Sequence, residues 1–171
     1  MRIEHISGKL TDHFDPQAKV IRLSDEVYGV ASIAAVGVAA HEAGHAMQKL
    51  ENYAPLNLRS AIVPAVNISS SLSTPMFILG LIFAWQPLVY IGIGLFAAST
   101  VFALVTLPVE FDASKRAIQM LSEGGYISGA EEERNVRKVL SAAALTYVAA
   151  AVTSLLSLLR LILIAKRNDR N

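Results

Sequence analysis

The chain has 171 residues, 53% of them hydrophobic and 17% charged, with mean hydropathy +0.45 and net charge +1. That length suffices for one domain, but the composition is too apolar for an ordinary soluble one. The near-zero charge excludes the basic field of a nucleic-acid partner, and the absence of cysteine excludes a disulfide framework and thiolate metal ligands.

In chain order, the opening MRIEHISGKL lacks the apolar h-region of a signal peptide. The chain is expected to begin inside a structured segment, as a fragment or short form of a longer protein. Residues 1–23 read as extended: KLTDHFD, a turn DPQAK holding Pro16, then VIRL form a strand pair. A helix is expected to start at Ser24, with Asp25 and Glu26 in its first turn, or at Ser32. It runs to about Leu50 with Ala, Val and Ile on most faces, the pattern of a buried helix. NYAPLNLRS (52–60) is a break, with Pro55 ending the helix.

No Lys, Arg, Asp or Glu occurs from Ser60 to Val109, nor from Val139 to Leu159. Uncharged runs of that length have lipid as their solvent. Residues 62–84 and 88–108 read as a transmembrane hairpin, turned at WQP with Trp85 at the interface and Pro87 restarting the helix. The chain then turns polar. A helix over Glu110–Leu121 continues out of the membrane and ends at Gly124–Gly125, and a second polar helix begins near Ala130. Residues 139–165 are a third spanning candidate, with Arg160 near its far end, able to snorkel. The expected regions are 1–59, carrying the strands and first helix; 60–108, the hairpin; 109–138, polar helices; and 139–171, the last span and basic tail.

The chemistry sits in VAAHEAGHAMQ (38–48). His41 and His45 are four apart, so a helix projects both from one face. That spacing lets two imidazoles hold one zinc ion, and Glu42 can act as general base toward its water: the mechanical sense of H-E-x-x-H. Gln48, Lys49 and Glu51 follow at once, placing that helix end near water. A catalytic zinc needs a third protein ligand. The acidic pair at a membrane end is Glu110 and Asp112 in PVEFDASKR. The histidine helix precedes the hairpin and Glu110 follows it, so both emerge on one side; Glu110 is the expected third ligand. Asp112 competes with it, or orients a histidine N–H. His5 and His13 are the upstream alternatives. His13 lines the cleft or sits on a strand surface, and the KLTDHF strand can take an extended substrate by strand addition. Arg59, Tyr53 and Tyr147 are candidate donors to a tetrahedral intermediate, Arg59 more readily an interfacial anchor. Asn67 and Ser69–Ser71 face the protein interior, water above the metal, or the lipid side.

HEAGH followed much later by EFDAS, with membrane helices between, resembles gluzincin-type membrane peptidases, whose third ligand lies in an E-x-x-A-D motif. Here Glu110 and Ala113 match, and Ser114 stands where that motif has Asp, leaving the Asp's role unfilled or taken by Asp112. The chain is more closely similar to the YugP-like neutral zinc metallopeptidase family of bacterial membrane proteases. SGKLTDHFDPQAKVIRLS, SIAAVGVAAHEAGHAMQ, YAPLNLRSAIVPAVN, LPVEFDASKRA and AAALTYVAAA carry the likeness over nearly the whole chain. The resemblance implies zinc, peptidase activity, a bacterial plasma-membrane location and an additional N-terminal membrane helix preceding the segment seen here.

The expectation is a mainly α, integral membrane protein: a zincin-like HExxH helix, a small N-terminal β-hairpin and about three transmembrane helices. Its function is zinc-dependent peptide hydrolysis of protein or peptide substrates at or near the membrane, with the bilayer itself as a partner. The competing readings are a non-catalytic membrane protein with a closed structural or regulatory zinc site, and a lipid or small-molecule hydrolase. Lys115, Arg116, Arg134, Arg137 and Lys138 between the last two spans place the site on the cytoplasmic side, although Lys166, Arg167 and Arg170 pull the other way.

Overall fold

The structure is a computed structural model that describes residues 1–169. It is mainly helical: three strands, β1 (Arg2–His5), β2 (His13–Asp15) and β3 (Val20–Leu23), precede four helices. These are α1 (Ile33–Leu50), α2 (Ala54–Ile82), α3 (Gln86–Glu123) and α4 (Gly129–Asn168). The chain divides into two compact units. One comprises Met1–Asn57 with Pro108–Thr146; the other comprises Leu58–Leu107 with the chain from Tyr147 onward. Helices α2, α3 and α4 are each long and apolar enough to cross a membrane.

In the first unit, β2 and β3 form the expected antiparallel pair, with Phe14 opposite Ile21. Asp15 closes the turn by accepting from the N–H groups of Gln17 and Ala18, both at 2.9 Å. These two bonds and Arg22 hold its carboxyl down at about 2. The strand missing from the sequence reading is β1, which joins β3 in parallel and gives the order β1-β3-β2. A parallel partner comes from a separate stretch of chain and carries no hairpin-turn signal.

Helix α1 starts at Ile33, capped by Ser32, whose side chain accepts from the Ala35 N–H. Ser24, the other expected start, is no cap. It is fully buried, and its N–H and hydroxyl donate to the two carboxylate oxygens of Asp12. Pro55 does not end α1 either. The helix stops at Leu50, Asn52 turns the chain at φ 55°, and Pro55 lies in the first turn of α2, where its missing N–H costs nothing.

Apolar residues surround α1 because two cores pack on it. On one side Ile21, Leu23 and Val27 meet Ala35 and Ala46; on the other Ala40 meets Ala117 and Leu121 of α3 and Val136 and Leu140 of α4. The expected polar helix from Ala130 and the last span are one continuous helix, since nothing between Arg137 and Ala143 breaks it.

In the second unit α2 and α3 approach at backbone level. A Cβ on Gly80 would fall 2.6 Å from the Val89 nitrogen, and one on Gly92 2.6 Å from the Phe77 nitrogen. Small residues at such crossings are how helices pack in lipid, where apolar burial supplies no drive. Hydroxyls stitch the contacts, Ser70 to Ser99 at 2.7 Å and Thr100 to Ser154 at 2.8 Å. Phe77, Val89 and Ala165 are buried together, while Leu79, Ile82, Ile91, Leu156 and Leu163 are exposed.

Candidate metal centre

Helices α1 and α3 touch where Gly44 meets Ala113. A Cβ on Gly44 would lie 2.5 Å from the Ala113 carbonyl oxygen, so only glycine permits the contact. The pairing sets the site by helix geometry. His41 and His45 stand three residues before and one after Gly44; Glu110 and Ser114 stand three before and one after Ala113. The four side chains are thereby delivered to one place.

His41, His45 and Glu110 offer ligand atoms that lie within 4.8 Å of one another. Glu110 Oε2 is 3.2 Å from His41 Nε2 and 3.6 Å from His45 Nε2. Two donors on a tetrahedral zinc with bonds of about 2.0–2.1 Å are about 3.3 Å apart, so the spacing fits. Glu110 is 2% exposed, and the histidine side chains 13% and 12%. A carboxyl so deeply buried is stabilised by hydrogen bonds, by a cation or by a proton.

The histidine protons decide which cation fits. Gln48, fully buried one turn beyond His45, donates both Nε2 hydrogens, to the Val109 carbonyl and to Asp112 Oδ2, each at 2.8 Å. Its Oε1 must therefore accept, and it does so from His45 Nδ1 at 3.0 Å. That puts the His45 hydrogen on Nδ1 and leaves the Nε2 lone pair facing Glu110. A positive charge between them, either an extra proton or a metal, would satisfy both atoms. Burial alone lowers the His45 pKa, but Glu110, Glu42 and Gln48 together outweigh it and raise it, the proton's version of the same attraction. His41 Nδ1 lies 3.1 Å from Ser114 Oγ. A hydroxyl can accept or donate, so Ser114 permits the metal-binding tautomer of His41 without forcing it.

Glu42 is 8% exposed. Burial raises its pKa most, while His45, His41 and a hydrogen bond from the Phe14 backbone pull the other way. The charges that act on it are those of the three-residue cluster, so it adjoins the ligand set as a general base must.

Of the remaining candidates, those of the first unit have partners of their own. Asp112 touches neither histidine; it holds Gln48 and receives Arg116 Nε at 2.6 Å. His5 pairs with Asp25 at 2.7 Å, and His13 lies between the Thr11 carbonyl and Arg22. Tyr53 lies under the Arg116 guanidinium, 5.8 Å from its ring centre. Arg59, Asn67, Ser69–Ser71 and Tyr147 belong to the second unit. The helix end lies in water at Lys49 and Glu51, as expected, but Gln48 beside them is fully buried. Its place three residues after His45, on the same helix face, is the signal that could have found it. Ser114, which stands where the motif has Asp, lies beside His41, whereas Asp112 is held by Gln48 and Arg116.

Two histidines from an H-E-x-x-H helix with a glutamate from a second helix are the donor types that zinc peptidases use. The profile of a family described as "Putative neutral zinc metallopeptidase" matches residues 1–166, and the chain belongs to that family. Among curated proteins it is similar to the "Putative membrane protease YugP" of Bacillus subtilis (strain 168). The two are 50% identical over 162 residues, covering 95% of this chain and 72% of the relative. No solved structure matches.

Proposed function

We propose that the protein is a membrane-embedded zinc endopeptidase in which His41, His45 and Glu110 hold the metal and Glu42 is the general base. The observation that carries the reading is the convergence of His41 Nε2, His45 Nε2 and Glu110 Oε2, with Gln48 fixing the His45 tautomer that can ligate. Zinc bound there would act as a Lewis acid on the scissile carbonyl and on water. Glu42 takes the proton from the attacking water and delivers it to the leaving nitrogen, so its carboxylate ends the cycle as it began. Burial favours its protonated form, which suits the delivery half of that task.

His5, His13 and Asp112, the residues that would close the site with a fourth ligand, are each engaged elsewhere. That favours an open, catalytic site over a structural one. Three long apolar helices and the name of the relative support residence in a membrane, with protein or peptide substrates at or near it. The basic residues between the last two spans support a cytoplasmic site.

The test is zinc stoichiometry and peptide cleavage by detergent-purified protein. Wild type is expected to carry about one zinc per chain, the complement of a single catalytic site, and to cleave. Glu110→Ala should lose the metal; Glu42→Gln should keep it and lose cleavage. A cleaving Glu42→Gln protein would overturn the assigned role, and a zinc-replete Glu110→Ala protein would overturn the ligand set.

A further inference from the structure

Among its described residues, the second unit contains a charge that no hydrogen bond or ion pair answers. Leu58–Leu107 has no acidic residue, and from Tyr147 the described residues include a single one, Asp169. Arg160 nevertheless interrupts an apolar stretch, with LLSLL before it and LILIA after it. Neither Arg160 nor Arg167 makes a hydrogen bond or ion pair with another described residue. An arginine within a spanning segment is costly unless an anion and hydrogen-bond acceptors meet it.

The surroundings specify that anion. Arg160 and Arg167 are seven residues apart, two turns along one face of α4, and both line a groove of about 610 Å³. Leu81 of α2 and Leu156, Leu159 and Leu163 of α4 form its apolar wall. A ligand that fits has an anionic head between two guanidinium groups and a hydrocarbon tail along the leucines. Guanidinium matches phosphate oxygens in a bidentate fork. We propose that this groove is a binding site for one anionic phospholipid, its phosphate held by Arg160 and Arg167 and an acyl chain laid along the leucines. The proposal rests on the membrane reading above and is independent of the metal.

Trp85, the one tryptophan of the chain, is a built-in reporter. Its backbone N–H donates to the Gly80 carbonyl at 2.9 Å, next to the groove residue Leu81, and the adjoining Gln86 side chain donates to the Ala165 carbonyl of α4 at 3.3 Å. The full chain is reconstituted in phosphatidylcholine vesicles containing a small fraction of lipid with brominated acyl chains, and quenching of Trp85 is read. Brominated phosphatidylglycerol should associate about fivefold more strongly than brominated phosphatidylcholine, the scale of one well-placed basic residue at an anionic lipid. Arg160→Gln with Arg167→Gln should abolish the preference. Arg167→Gln alone should weaken it, and Lys166→Gln, the same single charge loss at the neighbouring residue but off the groove, should leave it intact.

Equal quenching by both lipids in the wild type would overturn the site while leaving membrane residence standing. A loss with Lys166→Gln equal to that with Arg167→Gln would replace the site by a diffuse surface field and overturn it too. Protein that floats with vesicles yet is quenched by neither lipid has its groove covered by protein, which sinks the lipid. Protein that does not float with vesicles overturns both the site and the membrane reading.

Discussion

The two units treat polar side chains in opposite ways. In the first, polar groups are directional and linked, from the buried Gln48 outward to the surface: His45 to Gln48, Gln48 to Val109 and Asp112, Asp112 to Arg116, Arg116 to the exposed Glu51. Removing any member leaves another unsatisfied. In the second, the polar groups are mostly hydroxyls paired with each other or with a carbonyl one turn back, as Ser73 is with Ser70 and Thr106 with Phe102. Those pairs are local and replaceable. The contrast separates a region that must fix the orientation of three donor atoms from one that must only keep its backbone satisfied in an apolar solvent.

If that contrast holds, substitutions of similar size should have very unequal effects. The largest is expected at Glu42, where Gln removes the proton acceptor and should lower kcat by about 10²–10⁴-fold with zinc content unchanged. Gly44→Ala comes next. Its methyl group meets backbone at 2.5 Å, so α1 and α3 must part. Such overpacking costs about 1–3 kcal/mol, and the parting should appear as weakened zinc binding together with a lower thermal midpoint.

Gln48→Met keeps the shape and deletes three hydrogen bonds. Loss of an outer partner of a ligating histidine typically weakens metal binding about 10–100-fold, measurable by chelator competition. Zinc binding unchanged by this substitution would erase the distinction between the units. Ser114 sharpens it: Asp there is acceptor-only, would compel the ligating tautomer of His41, and should tighten zinc relative to Ser, while Ala should loosen it. The smallest effect belongs to the second unit. Thr100→Val removes the bond to Ser154 and should cost about 0.6 kcal/mol of stability with no change in zinc affinity.

The contrast also accounts for what the sequence made legible. The pairing of His41 with His45 was readable because one helix holds both and its period is known. Glu110 was readable because an uncharged hairpin returns the chain to the side it left. Gln48 and Ser114 were not, because their roles depend on which atom of a neighbour is left over once others are bonded, a property of the assembled pair of helices. Ser24 misled for a related reason. Its residue type suits a helix start, but Asp12, twelve residues earlier in the chain, claims both its N–H and its hydroxyl. Strand β1 escaped because its partner lies across a long connection.

One contact also orders events in time. Glu110 is 69 residues after His41, beyond the whole of α2 and most of α3. A ribosome delivers the two histidines first, then the hairpin, and the third ligand only afterwards. Until α3 has been made and docked through Gly44 and Ala113, the growing chain has an incomplete ligand set and an undirected His45. By this arrangement the His41, His45 and Glu110 cluster cannot exist in a chain that has been made only as far as α2; it forms once both of the first two long apolar helices are in place.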